Sequence, residues 1–259
     1  VSLVEVYMRD INTEVGWATL DCFRARGQVV NKNFLGGARR VELTGQLSKI
    51  GFGTPLQTSW VHDGLCKNLK DDQFSDTLNY GVNATIRQPT LFGTWATPWL
   101  TFYTDRRSEF KAYLRTTYFG GEAALFKPLG SSTSLRVAYN LERGRTSADP
   151  ALLCAVFSRC DPQSQQEVTK AQRLAIASVG VARIRTNSAV NPTSGYIVRG
   201  ESRNSAPFLL SDSSLKFAKG VGDIAWYHRL VGSGVLALRL RAGAIFGGTS
   251  SNGGPKLPP

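Results

Sequence analysis

The sequence predicts an all-β protein, an antiparallel transmembrane β-barrel. Three observations predict it. First, Val181 to Glu201 reads as strand, tight turn, strand. Ile176, Ser178, Gly180, Ala182 and Ile184 alternate with Val179, Val181, Arg183 and Arg185, so small or apolar residues fall on one side and arginines on the other. A soluble core does not hold unpaired arginines. A sheet with an apolar outside and a charged inside is the inverse of a soluble barrel. Second, connections between apparent strands alternate between short (near Gly36, Gly93, Pro128, Pro192 and Gly232) and long (near Cys66, Cys154 and Leu209). Outer-membrane barrels have short periplasmic turns and longer outside loops. Third, the chain has no uncharged apolar run of about 18 residues, the length a membrane helix needs. Only alternate residues of a membrane barrel face lipid, so a slightly negative mean hydropathy of −0.17 is compatible with one.

Taken in order, Val1–Ile11 reads as a half-buried strand. Glu14–Leu20 opens the barrel, Asp21-Cys22 forms a tip, and Phe23–Asn33 is the next strand. Asn33-Phe34-Leu35-Gly36-Gly37-Ala38 is a compact turn. Arg40–Lys49 alternates most clearly, Val41, Leu43, Gly45 and Leu47 against Arg40, Glu42, Thr44, Gln46 and Ser48. A long polar connection, Gly51–Phe74, precedes a strand over Ser75–Gln88 that Pro89 ends. Pro98–Tyr103 rises to a polar tip at Asp105–Ser108, and Phe110–Phe126 returns. After the turn Lys127–Gly130, Leu135, Val137, Tyr139 and Leu141 form an apolar face. Thr146–Lys170 is the longest irregular stretch. Asn191-Pro192-Thr193-Ser194-Gly195 is a turn, because Pro192 fixes φ and Gly195 tolerates positive φ. Ser202–Ser214 is a polar loop between the strand at Tyr196–Gly200 and two final strands, Leu215–Leu230 and Gly234–Gly247. Trp95, Trp99, Tyr103, Tyr118, Trp226 and Tyr227 lie near strand ends, as interfacial girdles do.

The formal charge is +12. Lys and Arg are scattered through strands and do not form one basic run, which speaks against a nucleic-acid partner. A soluble basic β-protein that binds nucleic acid remains the alternative outside the membrane. The two histidines, His62 and His228, lack a G-x-S-x-G serine. No Cys/His spacing suits zinc, and Gly36-Gly37 and Gly247-Gly248 are not followed by a phosphate-loop G-K-[ST]. The expectation is therefore no enzyme, no cofactor and no metal. The four cysteines suit an oxidising compartment. Cys154 and Cys160 share a loop and can close a small ring. Cys22 and Cys66 lie in connections on one predicted side and can pair, with buried free thiols as the alternative. Arg40, Glu42, Arg115, Arg136, Arg183, Arg185, Arg239 and Arg241 are the candidate lumen-lining residues.

Asn33-Phe34-Leu35-Gly36-Gly37 after a basic strand, followed by the alternating strand to Ser48-Lys49, resembles the barrel start in outer-membrane-protein assembly factors of the BamA/TamA type. Asn191-Pro192-Thr193-Ser194-Gly195 is similar to the turn midway through that barrel. Gly253–Pro259 resembles the approach to the family's inward-folded loop, and the V-R-G-F/Y motif of that loop would follow residue 259. The resemblance implies an incomplete barrel of about eleven of roughly sixteen strands. Residues 1–12 would end a preceding periplasmic domain, and 13–259 would be the N-terminal and central part of the barrel. It further implies a bacterial outer-membrane location and insertion of β-barrel proteins or translocation of polypeptides. The partners would be the lipid bilayer, client chains, and accessory periplasmic or lipoprotein subunits. The lateral edge strand would be Glu14, Val15, Gly16, Trp17, Ala18, Thr19 and Leu20, left without a pairing to Gly234–Phe246. A passive porin or uptake channel is the alternative within the membrane.

Overall fold

The computed structural model describes residues 7–71, 76–90, 96–108, 114–148, 153–154, 160, 162–230, 232 and 234–247. The eleven strands are β1 (Arg9–Ala18), β2 (Cys22–Asn31), β3 (Arg40–Ile50), β4 (Asn79–Arg87), β5 (Thr97–Ser108), β6 (Leu114–Pro128), β7 (Thr133–Ala148), β8 (Gln172–Thr186), β9 (Gly195–Ser205), β10 (Phe217–Arg229) and β11 (Val235–Gly247). They form one open sheet in sequence order, from β1 at one edge to β11 at the other. Each of these edge strands has a single strand neighbour in that order.

Several boundaries differ from those expected. The strands read at Val1–Ile11 and Glu14–Leu20 are one strand at Arg9–Ala18, and Thr19 and Leu20 lie in the following turn. Val1–Val6 fall outside the described residues, as do Phe110 and Gly253–Pro259. Asp105–Ser108 is not a tip but the end of β5, because its polar side chains join a polar face of the sheet that looks like solvent to a sequence reading. β9 likewise runs on through Ser205. Pro162–Thr169, within the stretch read as irregular, is a short helix, α1. β8 stops at Thr186, so the turn before β9 covers residues 187–194. Asn187 organises it: its Oδ1 accepts from the backbone N–H of Thr193 (2.9 Å) and Ser194 (3.0 Å), and its Nδ2 donates to Thr193 Oγ1 (2.7 Å). Gly195 has φ +108°, and a Cβ there would stand 1.9 Å from the Arg185 carbonyl oxygen, so no other residue fits.

Two compact units share the long middle strands. In the first, registers are unbroken across β1–β4 apart from a shift at Phe23/Arg24. One face carries the rows Ile11–Val29–Leu43–Ala84 and Val15–Ala25–Leu47–Tyr80, the other Asn12–Gln28–Thr44–Asn83 and Glu14–Arg26–Gln46–Gly81. Ile11, Val29 and Leu43 are 70%, 44% and 47% exposed, so the apolar side is the uncovered one. The small buried core of this unit lies at the end of the sheet, where Cys22, the first residue of β2, clusters with Phe52, Val61, Cys66 and Leu69. In the second unit, β8–β11 repeat the pattern, with Val198–Ile224–Leu240 on one face and Arg199–Asp223–Arg241 on the other.

Candidate functional site

The edge strand β1 and the polar face beside it form the candidate site. β1 pairs with β2 from Arg9↔Asn31 to Ala18↔Cys22. Val15 (87% exposed) and Trp17 (50%) stand on the apolar side. On the polar side Glu14 lies opposite Arg26, and Gly16 opposite Arg24, whose Nε would be 3.2 Å from a Cβ at position 16. The missing side chain lets Arg24 lie over the edge strand. A cavity of about 650 Å³ opens here, with Glu14, Arg24, Arg26, Gln46, Asp105 and Arg107 on its wall. Gly81 makes room within it: a Cβ would meet Gln46 Nε2 at 2.7 Å and Asp105 Oδ2 at 2.8 Å. Gln46 hydrogen-bonds Asp105 across that gap.

At one end this cavity meets a dry polar network. Lys49, fully buried with φ 62°, donates from Nζ to Ser108 Oγ (2.8 Å). Asn79 Oδ1 accepts from Ser108 N (3.0 Å), Ser108 Oγ (3.2 Å) and Arg106 Nη1 (3.3 Å). Arg106 also donates to the carbonyls of Thr77 (3.1 Å) and Leu78 (2.7 Å). The Cys22–Cys66 disulfide lies beside it and ties the tip after β1 to the long connection before β4. A second disulfide joins Cys154 and Cys160. In that long connection, Asp63 accepts from Lys70 Nζ (2.5 Å) and lies 2.9 Å from His62 Nδ1. The ammonium of Lys70 first, and then His62, hold the Asp63 carboxyl below the usual carboxylate range.

The expected charged residues divide. Arg40 pairs with Glu42 (3.3 Å), which also accepts from Gln28 Nε2 (2.7 Å), and both lie on the polar face. Arg136 pairs with Glu122 and sits 5.5 Å from the Phe126 ring centroid. Arg239 grips Asp223 with Nε (3.1 Å) and Nη2 (2.5 Å), and Arg241 lies directly opposite the same carboxylate. Arg183 and Arg185 belong elsewhere. Their row partners are Val198 and Tyr196, then Ile224 and Trp226, which places both on the apolar face. The expectation followed the small residues Ser178, Gly180 and Ala182, which in fact lie opposite Arg203, Glu201 and Arg199 on the polar side. Alternation back from Tyr118, whose ring meets Tyr103, does not put Arg115 on the polar face either. The sequence reading missed Arg24, Arg26, Asp105 and Arg199. The spacing Arg24-x-Arg26 within β2 was the available signal.

Comparison with known proteins bears on this arrangement. The family model described as the Omp85 superfamily domain matches residues 33–259. The crystal structure of BamA from Haemophilus ducreyi lacking POTRA domains 1–3 superposes with a TM-score of 0.62 at 16% identity, over 94% of this chain and 42% of that one. The chain thus spans less than half the length of that relative. No curated protein sequence matches it.

Proposed function

The chain belongs to the Omp85 superfamily of the bacterial outer membrane, and from that premise we propose that it is barrel sequence of a factor that inserts β-barrel proteins into that membrane or passes polypeptides across it. The work is non-covalent. The observation that carries the reading is β1, which among the described residues pairs with β2 alone and which stands beside a charged cavity. An edge strand offers its free N–H and C=O groups to an incoming strand, and hydrogen bonding, not chemistry, captures the client. In lipid each unmet backbone group costs several kcal/mol, so an edge of this kind favours any strand that can cover it. Gly16 lowers the relief of that edge, and Glu14 and Arg24 present both signs of charge beside it.

The lumen reading of the polar face, with Arg40, Arg136, Arg239 and Arg241 toward water, belongs to the same proposal. So does a role for Arg9–Ala18 as the first barrel strand, preceded by periplasmic sequence that docks accessory subunits. The test is site-specific photo-crosslinking in the full-length protein. A benzoylphenylalanine at Val15 should capture the terminal strand of a client during assembly, and one at Val137, in the middle of the sheet, should not. Equal yields at the two sites would remove the edge mechanism. Ion conductance with no acceleration of client folding would favour a passive channel.

A further inference from the structure

The apolar face of β8–β11 is expected to meet hydrocarbon, yet Arg183 and Arg185 stand on it. Both are exposed. Among the described residues Arg183 has no hydrogen bond or ion pair, and Arg185 reaches only Ser132 Oγ, at 3.4 Å. The carboxylates of these four strands, Glu201 and Asp223, occupy the other face, where Arg203 and Arg239 hold them. The turn over residues 187–194 carries no acid either. Among the described residues these arginines therefore have no protein counter-ion within their own surface.

Their height along the strand explains why the membrane tolerates them. Val179 and Val181 precede Arg183 on that face of β8 and are 47% and 43% exposed, whereas Ala175, nearer the other end of the strand, is fully buried where Ser211 meets its backbone. The exposed apolar stretch of β8 therefore ends at Arg183, and Arg185 lies beyond it, next to the strand's last residue, Thr186. Tyr196 and Trp226 share the row of Arg185, and the Trp226 ring stacks on His228 (5.4 Å), the arrangement of an interfacial aromatic belt. Arg173, near the other end of β8, differs in having Asp212 at its backbone N–H (2.7 Å).

We propose that Arg183 and Arg185, with Tyr196 and Trp226 beside them, form an anionic phospholipid headgroup site at the short-turn rim of the barrel. The guanidinium forks suit phosphate oxygens, and the aromatic pair covers the glycerol and upper acyl region. The site lies outside the edge-strand mechanism and rests only on membrane residence.

The test uses the full-length protein in phosphatidylcholine vesicles with and without phosphatidylglycerol, each brominated in turn. Quenching of Trp226 is read as the difference between the protein and its Trp226→Phe variant. Trp226 sits two strands from Arg185, about 10 Å away. The expected result is preferential quenching by brominated phosphatidylglycerol. The preference should fall about fivefold for each arginine neutralised, the equivalent of about 1 kcal/mol per charge. R183Q/R185Q should abolish it, R183K/R185K should keep most of it, and added salt should weaken it in the unmodified protein. A preference absent in the unmodified protein, insensitive to salt, or unchanged in R183Q/R185Q would overturn the site.

Discussion

The polar faces of β1–β4 and of β8–β11 carry charge in opposite styles. Beside β1–β4 the charges run into a dry cap, where Lys49 is fully buried and Ser108 1% exposed; Lys49 Nζ and Arg106 Nη1 are aimed at Ser108, Asn79 and backbone carbonyls, while Arg106 Nη2 is buried with no partner among the described residues. On β8–β11 the carboxylate of Asp223 is itself buried, but the arginines around it are exposed: Arg199 and Arg241 face it across the register and Arg239 grips it. A charge taken from water costs several kcal/mol unless hydrogen bonds replace that water. The dry end must therefore specify partners one by one. A wetted face tolerates surplus positive charge, because solvent screens it. The difference teaches where the protein is rigid: at the disulfide-tied end of β1–β4, with the adjustable arginine surface on β8–β11.

The largest expected effect breaks the dry end open. The Cys22–Cys66 bridge closes a loop with a sequence separation of 44 and Cys154–Cys160 one of 6. In the chain-entropy model these contribute about 4 and about 2 kcal/mol respectively. C22A/C66A should therefore lower the urea midpoint of vesicle-folded protein about twice as far as C154A/C160A. Thiol labelling of denatured, unreduced protein should find no reactive cysteine at these four positions. A reversed order of midpoints would mean that the cap near Lys49 is not what the first bridge holds.

Next come the two faces of β3. Leu43, on the exposed apolar row, should tolerate Arg far worse than Glu42, which already sits among Arg40 and Gln28. The expected penalty for Leu43→Arg is about 2–4 kcal/mol in lipid. Comparable stabilities for Leu43→Arg and Glu42→Arg would invert the assignment of faces.

A smaller effect tests the contrast directly. Asn79→Ala strips an acceptor from Ser108 and Arg106 at a buried site and should cost about 1–3 kcal/mol. Arg241→Gln, on an exposed strand, should cost well under about 1 kcal/mol. Similar losses at the two sites would show that the polar face of β8–β11 is as dry as the cap.

The fold was largely legible in the sequence because period-two alternation is written into each strand, and in β3 the apolar residues do face outward as read. The site was legible in part. β1 was found, although its start at Arg9 was hidden by a polar run that suits an exposed edge as well as a connection. The faces of β8 were misread because glycine, serine and alanine suit a crowded polar interior as readily as a lipid surface. The Lys49–Ser108–Asn79 network joins residues 59 and 29 positions apart, which no local pattern records.

The smallest effect concerns the connection that the Cys22–Cys66 bridge ties down. Asp63 is exposed, and its carboxyl is held below the ordinary range by Lys70 and then His62. A depressed carboxyl pKa means that the folded loop prefers the ionised form. The contribution is therefore complete above the unfolded carboxyl value of about 4 and disappears as pH falls through the lower folded value. Solvent screening keeps it small. Protection of the amides of residues 61–71, taken as each exchange rate relative to its intrinsic rate at the same pH, should be unchanged from neutral pH down to about pH 5 and should then fall on acidification in the unmodified protein. In Asp63→Asn the same amides should show no such additional loss of protection, and they should exchange slightly faster at neutral pH. If the variant kept the full acid response, a different carboxylate would hold this loop, and the rigidity of the dry end would not extend to its outer surface.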